Sequence, residues 1–248
     1  MHQQDPDDKQ LARQGIWDLL EHQHITEPGV HGHIPAFVGA DQAADQLATH
    51  PAWRRAQAIK ANPDRAQLPV RVRALRAGKT VYMAVPNLAS DRPFYLLDPA
   101  ELPMAPEQAA LHQVAATFAP TVTVADMPHI DLVVCGSVAV NTAGVRLGKG
   151  AGYSDIEIAL LIEAGHISSH TVLATTVHLA QLIDGPLPET SHDFRLDVIA
   201  TPAQIIECPP SNRPTGVIWD HLTQDKIDAI PTLANHPNRP PILGTDAP

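Results

Sequence analysis

The chain has 248 residues, of which 44% are apolar, enough for one large domain with a sizeable core, and it carries a formal net charge of −10 at neutral pH. That charge argues against broad attraction to nucleic acid or to an anionic membrane and leaves small molecules as the expected partners of a monomer or weak homodimer. Its two cysteines, Cys135 and Cys208, lack metal or redox spacing, no basic-then-apolar leader follows Met1, and no apolar run reaches spanning length, so a cytoplasmic location is expected.

Residues 1–8 are polar and acidic and read as a frayed N-terminus; a helical pattern starts at Lys9 with Leu11, Ile16, Leu19 and Leu20. Lys9 and Arg13 share one face of that helix, and spacing alone makes this a solvated cationic face. Residues 21–38 set His22, His24, His31 and His33 among Pro28, Gly29 and Pro35, the composition of an exposed loop rather than a metal site. An Ala-rich helix is expected over 39–49. The segment 53–61 then runs into Asn62-Pro63-Asp64, where the proline ends it and Asp64 reads as a turn residue or helix cap. A helix over 68–75 displays Arg71, Arg73 and Arg76, read as a solvated basic face, and a strand over 80–85 closes at Pro86. Residues 86–120 are punctuated by proline around an expected helix at 107–117.

Residues 131–140 (DLVVCGSVAV) are Val-rich and uncharged after Asp131, the pattern of a strand buried on both faces of a mainly parallel sheet. The glycine-rich run Gly144-Val145-Arg146-Leu147-Gly148-Lys149-Gly150-Ala151-Gly152-Tyr153-Ser154-Asp155 follows. Beyond it, Ser154 and Glu157 stand in capping-box relation, and Ile158, Leu161 and Ile162 recur at helical spacing up to Gly165. Strand, glycine-rich loop and helix form a unit whose N–H groups can converge on an anion, with Arg146 and Lys149 adding positive charge. The loop is neither a P-loop nor a dinucleotide fingerprint, because its glycines and lysine are spaced differently from both. Further strands are expected at 171–178 and 196–200, a short helix at 221–230, and a Pro-rich peripheral tail over 231–248. The fold class is therefore α/β, an open, mainly parallel sheet with helices on both faces, and the domain is placed at 9–230.

The stretch from Arg146 to Asp155, preceded by an apolar strand, resembles the R-L-G-[RK]-G-x-G-Y-Y-D signature of the 5-formyltetrahydrofolate cyclo-ligases, also called methenyltetrahydrofolate synthetases. Ile16-Trp17-Asp18, Ile34-Pro35-Ala36-Phe37 and Asn62-Pro63-Asp64 carry the likeness further, toward the divergent methenyltetrahydrofolate synthetase domain-containing branch, over about Lys9 to Trp219. The resemblance implies the cyclo-ligase fold, akin to NagB/RpiA/CoA-transferase-like proteins, with ATP and Mg2+ as cofactors and a folate as the small-molecule substrate.

By resemblance, Lys9, Arg13, Arg146, Leu147, Gly148, Lys149, Gly150, Ala151, Gly152, Tyr153 and Ser154 bind ATP, and Lys149 and Arg146 act in catalysis. Asp64, fourteen residues before Gly78-Lys79, stands where the family has a substrate-contacting Glu, and joins Lys149, Gly150, Ala151, Gly152 and Tyr153 on the folate. Asp155 and Asp193 are the implied Mg2+ pair; read without the family, Asp155 is a helix cap and Asp193 a turn residue. The implied reaction is ATP- and Mg2+-dependent conversion of 5-formyltetrahydrofolate to 5,10-methenyltetrahydrofolate. Ser154 in place of the family's second Tyr, and Asp64 in place of its Glu, open an alternative: a diverged paralogue that binds a nucleotide or phosphometabolite, such as a thiamine-related one, without cyclo-ligase activity.

Overall fold

The computed structural model describes residues 6–211 and 213–241. Its elements, in chain order, begin with helices α1 (Pro6–His22), α2 (Ala40–Thr49) and α3 (Pro51–Arg55), then strand β1 (Ala58–Ala61) and α4 (Leu68–Arg76). There follow β2 (Thr80–Ala84), β3 (Phe94–Leu97), α5 (Pro106–Ala109), α6 (His112–Phe118), β4 (Thr121–Val122), β5 (Leu132–Cys135), β6 (Ala139–Val140) and β7 (Arg146–Leu147). The chain continues through α7 (Tyr153–Glu163), β8 (Val172–Thr176), β9 (Val198–Ala200), β10 (Ile205–Glu207), α8 (Gln224–Ala229) and α9 (Pro231–Ala234).

Eight strands form one open sheet in the order β10-β9-β8-β5-β1-β2-β3-β4. The five central strands, β9 to β2 in that order, are parallel; β10 and β3 flank them antiparallel, and β4 pairs antiparallel with β3. Register follows the apolar runs, with Ile59 opposite Leu132 and Val133 opposite Leu173. Side chains alternate between faces, as the period of a strand requires. Val133, Cys135 and Leu173 pack with Ile156, Leu160 and Leu161 of α7 on one face, whereas Leu132, Val134 and Ala174 pack with Leu47 of α2 and Val70 and Leu75 of α4 on the other. A third cluster seats Ile16, Trp17 and Leu20 of α1 on Ala139 and Leu147. Among the described residues, no helix is long and apolar enough to cross a membrane.

Several expectations are corrected. The run 131–140 is two strands, because the chain leaves the main sheet after Cys135 and pairs β6 with β7 in a separate hairpin. That hairpin turns at Gly144, whose φ of +81° is left-handed and whose N–H donates to Asn141 O at 2.9 Å. The helix expected over 107–117 is broken after α5, where Leu111 is extended and the Arg71 Nε donates to Ala110 O at 3.0 Å. Arg71 itself is 1% exposed, so α4 shows no uniform basic face: Arg71 points inward, while Arg73 pairs with Asp41 and Asp45 on the surface. At the C-terminal end, Ile227, Ile230 and Leu233 are buried in the α7 cluster, so packed structure continues past the boundary placed at 230. The reason is α7, whose residues 156–161 are all buried and need cover on the side away from the sheet. The first helix begins at Pro6 rather than Lys9; the rest of the expected frayed terminus, residues 1–5, and the last part of the tail, 242–248, lie outside the described residues.

Candidate functional site

The strand order reverses between β1 and β5. The chain leaves β1 through α4 on one face and β5 through α7 on the other, and in open α/β sheets ligands bind beyond the carboxyl ends of strands at such a switch point. A cavity of 420 Å3 lies there. Asn62, Pro63 and Asp64, which follow β1, line it together with the glycine turn and the first turn of α7. Lys9 and Arg13 reach it from α1, and Thr190, His192 and Asp193 from the loop before β9.

Every site residue named from the sequence, from Lys9 and Arg13 through Asp64 and the run 146–155 to Asp193, lines this one cavity. Lys9 and Arg13 do not form a solvated face. The Lys9 ammonium donates to Asp193 Oδ2 at 2.5 Å and to Thr190 Oγ1 at 3.0 Å, and Arg13 Nε donates to Gly148 O at 2.7 Å. Burial lowers the Arg13 pKa from its ordinary value. Arg146 is 5% exposed because it belongs to β7 rather than to the loop. Its Nε donates to Gly136 O at 3.1 Å and its guanidinium lies 4.7 Å from the Phe194 ring centre. A Cβ at Gly148 would come within 2.8 Å of that guanidinium, so a side chain there would push the Arg146 head group from its place beneath the turn. Gly150 and Gly152 supply the left-handed conformations, at φ of +102° and +73°.

Gly152 is the N-cap of α7, and no side chain caps the helix. The expected capping box is absent because α7 starts earlier than the spacing suggested: with Gly152 at the N-cap, Ser154 already lies inside the helix, and its side chain and that of Glu157 have tertiary partners instead. Ser154 Oγ accepts from Asn62 Nδ2 at 2.8 Å, and the Glu157 carboxylate pairs with the Lys60 ammonium. The positive end of α7 is thereby left open to the cavity. Lys149 is exposed on the turn and has no hydrogen bond or ion pair among the described residues.

The two acidic residues differ. Burial raises the Asp155 pKa, with Arg146 opposing it from 3.6 Å; Asp155 Oδ1 is buried without a hydrogen-bond partner. Burial also works against the Asp193 carboxylate, but hydrogen bonds from Lys9 and from Thr190 N–H outweigh it and hold its pKa below the ordinary value. Among the described residues, no group of three or more His, Cys, Asp or Glu could hold a metal ion by itself.

Some site residues escaped the sequence reading. Lys60, alone among apolar neighbours in β1, is 0% exposed and joins Glu157 and Asn62 Oδ1 beneath the turn; a lone lysine in a fully buried strand was the available signal. Arg71 donates to the carbonyl oxygens of Asn62 and Asp64 and so fixes the chain that presents Asp64. Asn87, at φ +54°, and His112 complete the rim, and neither has a local signature.

Comparison with known proteins extends the picture. The sequence model of the 5-formyltetrahydrofolate cyclo-ligase family matches residues 5–202. The chain is 35% identical to the methenyltetrahydrofolate synthase domain-containing protein of Mus musculus, over 99% of this chain and 68% of that protein. It is 31% identical to the Homo sapiens protein of the same description, over 96% of this chain and 63% of that protein. The chain thus spans roughly two thirds of the length of these relatives. The structure of Aquifex aeolicus 5,10-methenyltetrahydrofolate synthetase shares the fold, with a TM-score of 0.53 and 17% identity, over 82% of this chain and 94% of that one.

Proposed function

The chain belongs to the 5-formyltetrahydrofolate cyclo-ligase family, and we propose on that premise that it converts 5-formyltetrahydrofolate to 5,10-methenyltetrahydrofolate at the expense of ATP. The observation that carries the reading is one cavity lined both by an open helix N-terminus with the cations Lys9, Arg13 and Lys149 and by the Asp64 carboxylate. A polyphosphate suits the first set of groups, and a ring bearing N–H donors suits the carboxylate.

The donor set also suits Mg2+, which is commonly held by one or two carboxylates with phosphate oxygens and waters completing its shell. Asp155 offers a buried oxygen without a hydrogen-bond partner, and Asp193 offers a second carboxylate whose charge Lys9 already balances. Bound ATP and Mg2+ supply the phosphoryl group and charge screening that let the formyl oxygen depart as phosphate. The chain's own work is positioning and charge neutralisation. Lys149 and the N–H groups of the turn would hold the phosphates and neutralise their charge, and Arg13 fixes the turn through Gly148 O. Arg146 supports the turn from beneath and balances Asp155. Tyr153 and Asp64 orient the folate so that its second nitrogen reaches the activated formyl carbon.

The test is ATP-dependent growth of the near-ultraviolet absorbance of the methenyl product, with Asp155→Ala as the companion variant. The wild type should produce the band, and the variant should be slower by ~100-fold or more. An equal rate in the variant would remove Asp155 from the site. A second reading is favoured by one contact, the Asn62 hydrogen bond that occupies Ser154 where the family pattern has Tyr. Under that reading the cavity serves another phosphate-bearing metabolite, and the assay stays flat while ATP still binds.

A further inference from the structure

The family match ends at residue 202, yet the chain beyond it is built into the site. Arg213 donates to Ser168 O at 2.5 Å and to Asp197 Oδ2 at 2.8 Å, and Val217 N–H donates to Glu163 Oε1 at 2.8 Å. The imidazole of His236 lies 3.0 Å from the same Glu163 carboxylate, and Ile227, Ile230 and Leu233 are buried against the α7 cluster. From this anchored base the segment grips both loops of the site. Lys226 donates to Ala151 O at 2.8 Å and stands 3.4 Å over the Tyr153 ring, and the His221 and His192 imidazoles meet at 2.7 Å.

Between the segment and α7 lies a second cavity of 270 Å3, walled by Ile156 and Ala159 on one side and Val217, Ile218 and Leu222 on the other. It shares Gly150, Ala151, Gly152, Asp155 and His192 with the first cavity. Its volume falls below the ~300 Å3 at which whole-ligand pockets usually begin, so it suits one ring system of a ligand whose remainder lies elsewhere. Lys9, Arg13 and Lys149 line the first cavity only, and so does Asp64. Lys226, the cation of the second cavity, is taken up by Ala151 O and the Tyr153 ring, so a ligand reaching across the shared glycine turn has its charge beside Lys9, Arg13 and Lys149 and a flat apolar part in the second cavity, away from Asp64.

We propose that the C-terminal segment, residues 213–236, builds a base-binding subsite in which the purine ring of the nucleotide lies between α7 and Ile218, with Lys226 as a positioning residue for the glycine turn. This rests on the nucleotide reading above and adds to it a part of the chain beyond the family match. A ring flanked by these five apolar side chains gives up water-exposed surface on both faces, which is the source of the expected affinity.

The test is titration calorimetry of the full chain with ATP and with inorganic tripolyphosphate, both with Mg2+, joined to hydrogen exchange of the wild type. Ile218→Trp, which fills the second cavity from the segment side, should weaken ATP about tenfold or more and leave tripolyphosphate unchanged. ATP should slow exchange across residues 216–226, whereas tripolyphosphate should protect the glycine turn alone. Equal ATP affinity in Ile218→Trp, or the same protection from both ligands, overturns the subsite while leaving the nucleotide reading intact. Failure of the wild type to bind either ligand overturns that reading and the subsite with it.

Discussion

Replacing Lys60 with methionine is the sharpest perturbation of the frame under the glycine turn. Lys60 is 0% exposed in β1, and its ammonium faces the Glu157 carboxylate of α7, 5% exposed, and Asn62 Oδ1 at 2.6 Å. Lys60→Met keeps most of the aliphatic stem, removes the charge and leaves Glu157 buried without its partner. Removing one member of a buried ion pair costs ~3–5 kcal/mol. In a chain of this size each kcal/mol moves the melting temperature by roughly 2–4 °C, so the variant should melt about 6–20 °C below wild type. Lys60→Met/Glu157→Leu removes both charges and should recover most of the loss, because well-packed apolar replacements of buried pairs are often neutral. Calorimetric melting of wild type, single variant and double variant measures all three quantities. A loss below ~1 kcal/mol in the single variant, or a double variant no more stable than the single, would refute the mutual compensation of the two charges.

Two further outcomes are expected. The pKa of Asp193 is held below its ordinary value by Lys9 and Thr190, so its contribution to stability is complete above about pH 4 and is lost as the pH falls through the folded-state value. Asp193→Asn should therefore be less stable than wild type near neutrality and converge with it in acid; an offset that persists unchanged down to about pH 2 would contradict this. A Cβ at Gly136 would lie 2.8 Å from Ile34 Cγ2 and 3.0 Å from both Asp64 Oδ2 and Gln67 Oε1. Gly136→Ala should press Asp64 from its place and raise the KM for the folate about tenfold or more, further than it raises the KM for ATP, and a folate KM that moves less than the ATP KM would contradict the placing of Asp64 against the folate.

The central strands and the glycine turn were legible in local patterns, whereas Lys9, Arg13, Asp64, Asp155 and Asp193 joined the site only through the resemblance to the cyclo-ligases. Strands form at 132–135 and 172–176, inside the stretches expected at 131–140 and 171–178, and the glycine turn leads into a helix that ends before Gly165, as the spacing anticipated. What escaped depends on distance along the chain. The partners Lys60 and Glu157 are 97 residues apart, and no local rule pairs them. The capping box at Ser154 and Glu157 had the right residue types, but the N-cap falls two residues before the expected one, at Gly152, and the two side chains turn to Asn62 and Lys60. Arg71 looked like surface charge beside Arg73, yet the carbonyl groups of Asn62, Asp64 and Ala110 converge on it from outside its own helix. The tail read as peripheral from its prolines, although α7 is apolar on nearly every side and draws Ile227, Ile230 and Leu233 over it.

The most direct test of the proposed reaction follows one oxygen atom. 5-Formyltetrahydrofolate labelled with heavy oxygen in its formyl group is incubated with the wild-type chain, ATP and Mg2+, and the released phosphate is examined by mass spectrometry. Transfer of the label into phosphate, in step with formation of the methenyl product, is the predicted result. Methenyl product formed while the phosphate stays unlabelled would contradict it.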